Sequence, residues 1–209
     1  FSKANEGNAK ITITNFKYDA GSAKGGLWYD TAPTTQDYNI RDLEVSCTGT
    51  SGYAFYNCNN LSNCTGTGTG TNGYGFTYCT NLTNCTGTGT GTNGYGFFGC
   101  DNLSNCTGTG TGTAQGSGFY KCNNLSNCTG TGTGLYGCGF EKCNNLSNCT
   151  GTGSGTYSYG FYNCTNLTNC TGKGTGTGTG SEGYGFYNIE IASNCKDDGS
   201  STNMWGGTN

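Results

Sequence analysis

Residues 73–93 read GYGFTYCTNLTNCTGTGTGTN, and this 21-residue unit recurs with few changes along most of the chain. Two cysteines, a leucine and a phenylalanine return at the same places in each copy, while threonine and glycine alternate through its second half. Self-similarity at a fixed period of this size is typical of repeat architectures, in which each unit buries its apolar face against the next. The unit therefore predicts stacked coils.

Four residue columns define the period, and they advance in steps of 21 or 22 residues, except for a last step of 25 residues from Phe161 to Phe186. The first cysteine column contains Cys58, Cys79, Cys100, Cys122, Cys143 and Cys164, and the second contains Cys64, Cys85, Cys106, Cys128, Cys149 and Cys170. The other two columns are Leu61, Leu82, Leu103, Leu125, Leu146 and Leu167, and Phe55, Phe76, Phe97, Phe119, Phe140, Phe161 and Phe186. Identical residues stacked in four columns predict an all-β solenoid of about seven coils.

The Thr-Gly run after each second cysteine determines what one face of the solenoid presents. Successive side chains of an extended strand point to opposite faces. Counting from Leu61, this alternation places leucine, cysteine and glycine inward and Thr65, Thr67 and Thr69 outward. Because the inner face has no Cβ atoms, we expect the backbones of opposite walls to approach closely and the solenoid to be thin.

The outward threonines are the predicted ligand-binding residues. Stacked coils would set them about 4.8 Å apart between strands and about 6.7 Å apart along a strand, as a flat grid. Such a grid resembles the ice-binding face of several β-solenoid antifreeze proteins, and its hydroxyls are equally suited to bind glycans. The set is Thr65, Thr67, Thr69, Thr86, Thr88, Thr90, Thr107, Thr109, Thr111, Thr129, Thr131, Thr133, Thr150 and Thr152.

Threonine ladders also have a purely structural interpretation, because threonine has high β propensity and forms favourable cross-strand pairs. The evenness of the columns argues against it, since ordinary solvated faces mix charged and polar residues. Only Ser154, Lys173 and Leu135 interrupt the pattern. Recent duplication of the repeat is the remaining alternative explanation for that uniformity.

Composition and charge exclude several classes of function. The chain has no histidine, which excludes Ser-His-Asp and Cys-His catalysis, and only three of its twelve carboxylates fall between Cys47 and Phe186. With net charge −3 and no basic stripe, the sequence predicts no nucleic-acid partner. No apolar run is long enough to span a membrane. We expect neither enzymatic activity nor a cofactor or metal, and the initial Phe1 suggests a piece of a longer protein.

The fifteen cysteines allow three interpretations. They form disulfides, as in many extracellular proteins, or they stack as small buried hydrophobic residues, or they bind zinc, which the six-residue spacing and the absence of histidine make the least favoured. Cys138 lies outside both columns and is the predicted free thiol.

Asparagines and tyrosines form further columns. Asn60 and Asn63 begin glycosylation sequons that recur in the central coils, but we expect these asparagines to form ladders that bond neighbouring backbones. A possible stripe of aromatic residues is either exposed for stacking on sugars or packed between coils, and the second is favoured. Its members are Tyr56, Tyr78, Phe98, Tyr120 and Tyr162.

Three segments are expected. Residues 1–46 hold the only proline and a strand-like alternation near Ile11, and are predicted to be an N-terminal cap or the end of a preceding domain. Residues 47–195 hold the repeats. Residues 196–209 are a predicted C-terminal cap or linker.

The motif Phe-x-x-Cys-x-Asn-Leu-x-x-Cys resembles bacterial surface leucine-rich repeats of the BspA-like, treponemal type, most closely at residues 53–61, YAFYNCNNL. The chain departs from that family where cysteine and glycine replace branched apolar residues. The resemblance implies a solenoid of leucine-rich-repeat type that acts as a non-enzymatic adhesion module, extracellular or on a cell surface, with a carbohydrate or protein partner. Two alternatives use the same fold: ice binding through the threonine grid, and end-to-end assembly as a filament or phage-fibre subunit.

Overall fold

A computed structural model describes residues 12–13, 16–22, 25–28, 39–176 and 182–198. Within these ranges the chain forms 24 β-strands and no helix. All strand pairings between neighbouring coils are parallel, and each coil adds one strand to each of three stacks. The prediction of an all-β solenoid of about seven coils is therefore confirmed.

The three stacks are named here for the residues they contain. The leucine stack is a nine-stranded sheet: β1 (Thr12–Ile13), β4 (Asn39–Arg41), β7 (Leu61–Ser62), β10 (Thr80–Thr83), β12 (Asp101–Ser104), β14 (Asn123–Ser126), β17 (Asn144–Ser147), β20 (Thr165–Thr168) and β23 (Ala192–Ser193). The threonine stack is β2 (Phe16–Asp19), β5 (Leu43–Cys47), β8 (Thr65–Gly68), the first part of β11 (Thr86–Phe98) and of β13 (Thr107–Tyr120), β15 (Thr129–Thr133), β18 (Thr150–Gly155), β21 (Thr171–Gly176) and β24 (Lys196–Asp197).

The aromatic stack contains β3 (Gly25–Trp28), β6 (Tyr53–Tyr56), β9 (Tyr74–Thr77), the second part of β11 and of β13, β16 (Tyr136–Glu141), β19 (Tyr157–Tyr162) and β22 (Glu182–Tyr187). Because β11 and β13 run through both stacks, the threonine and aromatic stacks together form one 15-stranded sheet. The chain thus passes from an aromatic strand to a leucine strand, then to a threonine strand, and then into the next coil.

One coil is a residue longer than its neighbours, and the structure absorbs the extra residue locally. The register of β11 with β13 shifts between Gly91 and Asn93, so that Asn93 pairs with Gln115. Such a bulge leaves one residue unpaired and bends the strand without disturbing the rest of the ladder. Threonines before the bulge and phenylalanines after it therefore remain in register with neighbouring coils.

The corners between strands require a left-handed backbone conformation. Asn57, Asn60 and Asn63 have φ of 54°, 58° and 54°, and the equivalent residues of later coils repeat these values. Asparagine tolerates this region better than other residues with a side chain. The corner amides still donate to the next coil, as from Asn60 N to Thr80 O at 3.0 Å. This explains why asparagine recurs before each leucine of its column and before each cysteine of the second column, whereas the corner before the first column also holds Tyr78, Gly99, Lys121 and Lys142.

The core consists of the four predicted columns. Its phenylalanine, leucine and cysteine side chains are at most 2% exposed from Phe55 to Phe186. Neighbouring phenylalanine rings lie nearly parallel, with centroids 4.6–5.0 Å apart. Each coil therefore buries one ring, one leucine and two thiols against its neighbours, and these contacts stabilise a chain in which a fifth of the residues are glycine.

Glycines line the contact between the threonine and aromatic stacks. An added Cβ on Gly96 would lie 2.6 Å from Thr109 N and 2.7 Å from Gly108 Cα, distances that real Cβ atoms do not show. Both neighbouring atoms belong to the threonine stack, which forms the wall opposite Gly96. The predicted close approach of the two backbones, and hence a thin coil interior, is confirmed.

At the N-terminus, β1, β2 and β3 pair in parallel with β4, β5 and β6 and continue the three stacks. Strands lie at residues 12–13 and 16–19, near the predicted one, while most of residues 1–38 fall outside the described part. At the other end, Lys196–Asp197 pairs with β21, and residues 199–209 lie outside the described residues. The cap assignments remain predictions, as does end-to-end assembly.

Candidate ligand-binding surface

The threonine stack holds thirteen of the fourteen predicted residues on its outer side, and Thr69 directly follows β8. In each strand glycine and threonine alternate between buried and solvent-facing positions, as predicted. None of the fourteen threonines is buried: Thr69, Thr86, Thr107, Thr111, Thr129 and Thr150 are exposed and the other eight are partly exposed. We call this surface, the outer side of the threonine stack from Thr65 to Thr175, the threonine face.

The strand register aligns the threonines in straight columns. One column contains Thr65, Thr86, Thr107, Thr129, Thr150 and Thr171, and the next contains Thr67, Thr88, Thr109, Thr131, Thr152 and Lys173. In a third, Thr90 pairs with Thr111, and Thr133, Ser154 and Thr175 are in register. The structure therefore brings the predicted residues together as one two-dimensional array.

Most hydroxyls of this array point away from the protein without an intramolecular partner. Across the described stretch from Thr65 to Thr175, hydroxyl groups of the threonine face donate at only two places: Thr111 Oγ1 to Gly89 O at 3.5 Å, and Thr175 Oγ1 to Gly153 O at 3.3 Å. Threonine is stiff at χ1 because its Cβ is branched. The hydroxyl and methyl groups are thus held in fixed positions and remain available to an external partner.

Most outer rings of the aromatic stack pack against a ring of a neighbouring coil. Phe98 and Tyr120 stack with centroids 5.3 Å apart and planes 22° apart, and Tyr162 stacks in the same way on Tyr187 at 5.6 Å. Glu141 instead of a ring lies between Tyr120 and Tyr162, and Tyr136 is 45% exposed. The outer rings pack between coils, which was the favoured of the two interpretations.

Tyr78 does not belong to this aromatic column, where the sequence analysis placed it. It occupies a left-handed corner at φ 52°, one residue beyond Thr77, which is the residue in register with Tyr56 and Phe98. The Tyr78 ring meets these two rings edge-on, with centroids 5.9 and 5.5 Å away. It therefore covers the gap left by the small side chain of Thr77, which is 2% exposed.

The asparagine ladders exist, but their partners differ from those predicted. Asn81 Nδ2 donates to Asn60 Oδ1 at 3.1 Å, and Asn102 donates to Asn81 at 3.2 Å, so the amides bond one another instead of neighbouring backbones. Both the Asn60 and Asn63 columns are exposed. In the Asn60 column every amide from Asn60 to Asn166 is bonded to the next, so that ladder itself accounts for the repetition of asparagine, whereas the Asn63 column is bonded only in part.

We expect Asn124→Ala to lower the free energy of unfolding by about 1–2 kcal/mol, because alanine is disfavoured in the left-handed region that Asn124 adopts at φ 57°. The matched variant Asn124→Gly loses the same amide bonds to Asn102 and Asn145 but tolerates this φ, so it should be the more stable of the two. Equilibrium urea unfolding measures both. Equal losses would show that the backbone conformation is not the reason for asparagine here.

The cysteines act as hydrogen-bonding residues in the core, and none of the fifteen is in a disulfide. In the first column, Cys58 N donates to Cys79 Sγ at 3.4 Å, and Cys79 Sγ lies 3.4 Å from Thr77 O. The thiols therefore satisfy backbone groups at the corners, where strand pairing is interrupted. Of the three interpretations, buried ladders are confirmed for both columns. Among the described residues, no group of three or more possible ligands is arranged to hold a metal ion.

Burial keeps most core thiols protonated. Desolvation raises the pKa of the Cys100, Cys143 and Cys164 thiols well above the usual range. Cys138, the predicted free thiol, is unpaired but only 2% exposed, and burial raises its pKa as well. Because the thiolate is the reactive form, these thiols are poor nucleophiles.

One polar cluster on the aromatic stack was not predicted from the sequence. Ser117 and Cys138 occupy two rungs of a column that is otherwise tyrosine, between Tyr95 and Tyr159. Glu141, 5% exposed, accepts a hydrogen bond from Ser117 Oγ at 2.9 Å and pairs with Lys142 at 3.3 Å. The signal in the sequence was the simultaneous loss of two tyrosines and gain of one acid within two coils. The carboxylate is satisfied on both sides, which fits a packing role.

No protein-family model matches the chain, and neither a curated protein nor a solved structure shows significant similarity to it. None of the described segments forms a helix long and apolar enough to cross a membrane.

Proposed function

We propose that the chain is a non-enzymatic binding module that attaches through the threonine face to an extended carbohydrate surface, outside the cell or on its surface. The observation that carries this proposal is the array of aligned threonines whose hydroxyls have almost no partner within the protein. A rigid, flat set of donors and acceptors loses little conformational entropy on binding. It fits a flat and repetitive partner better than a small soluble ligand.

The other repeated residues have an intramolecular reason to repeat. Glycine allows the two walls to meet, phenylalanine and leucine fill the core, cysteine bonds the corner backbone and asparagine adopts the left-handed corner. For the outward threonines the intramolecular reason is weaker, since cross-strand pairs contribute only about 0.2–1 kcal/mol. Their repetition therefore supports a role in contact with something outside the chain.

Duplication alone is a poor explanation, because the coils have diverged elsewhere. The outer aromatic column, in register, contains Tyr56, Thr77, Phe98, Tyr120, Glu141 and Tyr162, which are four residue types in six coils. In the first two threonine columns only Lys173 departs from threonine among twelve positions. Outward positions vary in the aromatic stack, whereas outward positions in the first two threonine columns are nearly constant. This difference favours a constraint specific to the threonine face.

The leucine-rich-repeat type and the surface location belong to the same proposal. They rest on the resemblance of residues 47–195 to bacterial surface repeats and on a polar, weakly charged exterior. Reduced cysteines do not conflict with an extracellular location, because fourteen of the fifteen are buried and hence shielded from oxidants.

Ice is the second candidate partner, favoured by the same register. Threonines repeat with the strand spacing of about 4.8 Å across coils, and Lys173 is the only charged residue in the threonine columns between Thr65 and Thr175. Ring faces for stacking on sugars are absent from the described part of the threonine face, which makes this candidate worth testing alongside the first.

The binding test replaces the middle of the array. A triple variant Thr88→Lys, Thr109→Lys and Thr131→Lys should lose binding to cellulose, chitin or cell-wall polysaccharide particles by at least about tenfold, because lysines break the flat surface and bring unpaired charge to it. The matched control is Ser104→Lys, Ser126→Lys and Ser147→Lys, which adds the same charge on the outer side of the leucine stack. Co-sedimentation with the particles measures both.

Retention of the wild-type chain and the serine variant, with loss of the threonine variant, would support the carbohydrate proposal. No retention of the wild-type chain on any of these particles would overturn it. For ice, the wild-type chain should shape ice crystals and show thermal hysteresis that the threonine variant lacks. Normal ice growth at millimolar protein would eliminate ice as a partner.

A further inference from the structure

The two thiol columns end differently at the C-terminal side of the solenoid. In the first column, Ile189 follows Cys164 and closes it with an apolar side chain that is 1% exposed. In the second column, Cys195 follows Cys170, and it is the one cysteine that is partly exposed. The second column therefore ends in a thiol that reagents in solvent can reach.

Cys170 and Cys195 occupy equivalent positions in two adjacent coils. Thr171 pairs with Lys196 in the parallel ladder, and Lys196 N donates to Cys170 O at 2.8 Å, which places the two preceding residues side by side. Neighbouring strands lie about 4.7–4.9 Å apart. That separation falls within the Cα–Cα range of about 4.4–6.8 Å that disulfides span.

A terminal pair can adjust where interior pairs cannot. Parallel, in-register cysteines must move their Cβ atoms closer to form a disulfide, which requires Cβ atoms about 3.5–4.5 Å apart. Cys149 and the thiols before it are held by coils on both sides, whereas Cys195 lies in the last described coil, where β23 and β24 are two residues long. Among the described residues, its movement would disturb only the coil that contains Cys170.

We propose that Cys170 and Cys195 are a redox pair, which a small-molecule disulfide oxidant converts into a disulfide that fixes the last coil to the one before it. The Cys195 thiolate attacks the oxidant RSSR, forming Cys195–S–S–R and releasing one thiol RSH after protonation. Cys170, deprotonated, then attacks the Cys195 sulfur and displaces the second RSH. The two protein thiols lose two electrons and two protons, and RSSR becomes two RSH.

Interaction between neighbouring thiols of the second column lowers the pKa of the Cys170 thiol to about 4 and raises the pKa of the Cys195 thiol. Because the thiolate is the attacking form, the first step, attack by Cys195, should become faster as the pH rises. The disulfide would close a loop between residues 170 and 195 that contains β21 to β24. Closing this loop restricts the unfolded chain and opposes fraying of the final coil.

The test uses the full reduced chain and oxidised glutathione as RSSR. Before oxidation, a brief pulse of a thiol-alkylating reagent should label Cys195 and leave the other fourteen cysteines unlabelled. After oxidation, the intact mass should fall by two hydrogen atoms, with no glutathione attached. Trypsin, which cuts after Lys142, Lys173 and Lys196, should then release peptide 143–173 joined to peptide 174–196, with fragmentation locating the bond at Cys170.

Two cysteine variants distinguish loss of the disulfide from a general effect on folding. Cys195→Ser, at the edge of the core, should prevent the disulfide, while Cys149→Ser, one coil earlier, should leave it intact. In the oxidised wild-type chain, hydrogen exchange in β22 to β24 should slow at least about tenfold. A glutathione adduct that persists on Cys195, a dimer joined through Cys195, or a Cys195 that resists labelling would each overturn the proposal.

Discussion

Gly118→Ala should cost the protein more stability than its single added methyl group suggests, at least about 3 kcal/mol of unfolding free energy. A Cβ on Gly118 would lie 2.6 Å from Thr131 N, 2.7 Å from Gly108 O and 2.7 Å from Gly130 Cα. Overpacking of a core typically costs about 1–3 kcal/mol when side chains can shift. All three neighbouring atoms here are backbone atoms of the opposite wall. The threonine stack and the aromatic stack must therefore move apart to accommodate the methyl group.

The matched control is Thr131→Ala, which changes a residue of the opposite wall whose side chain faces solvent. It removes only cross-strand contacts with Thr109 and Thr152, worth about 0.2–1 kcal/mol. Urea unfolding followed by circular dichroism measures both variants. If Gly118→Ala were as stable as Thr131→Ala, the close approach of the two walls would not be what makes glycine necessary.

This contact also matters for binding. Gly130 lies between Thr129 and Thr131 on the same strand, so any shift of that backbone moves two columns of the threonine face. We therefore expect a folded fraction of Gly118→Ala to bind its partner more weakly than the wild-type chain does, even though residue 118 lies on the other wall. The flatness of the binding surface depends on the glycines beneath it.

Phe97→Ala is expected to lower the free energy of unfolding by about 3–5 kcal/mol, the usual range for removing a fully buried ring. Phe97 is 0% exposed, and its ring stacks on Phe76 and Phe119 with centroids 4.9 and 4.8 Å away. The cavity would interrupt a ladder that runs the length of the solenoid. Neighbouring rings cannot close it without moving their coils out of register.

The adjacent residue supplies the control. Phe98 faces outward, is only partly buried, and stacks on Tyr74 and Tyr120 at the surface. Phe98→Ala should cost about 1–2 kcal/mol, since less area is removed from contact and solvent can fill the space. Thermal and urea unfolding of the two variants give the comparison, and a larger loss for Phe98→Ala would contradict the assignment of the inner and outer rings.

Much of the fold could be predicted because its signals are local. Alternation in an extended strand requires no tertiary information, so the Thr-Gly run alone indicated which side chains face outward. The period of the cysteine, leucine and phenylalanine columns indicated which residues meet in the core. Both inferences agree with the structure from Cys58 to Phe186.

Errors arose where the alternation is broken. Tyr56 and Phe98 directly follow Phe55 and Phe97, whereas Tyr78 follows Phe76 by two residues. Thr77 therefore occupies the outer column and Tyr78 lies in a corner. The Ser117–Glu141 contact was missed because the two residues belong to neighbouring coils and meet only through the register.

The sequence by itself determined that this protein is a stack of coils with a threonine side and a glycine side, because strand alternation and a strict repeat are properties of the chain. The tertiary structure decided what those sides do. It showed that glycine allows the two walls to contact each other and that asparagine adopts the left-handed conformation of the corners. It also showed that most threonine hydroxyls of the threonine face have no partner within the protein. These properties depend on distances between atoms of different coils, and the sequence of a single repeat does not determine those distances.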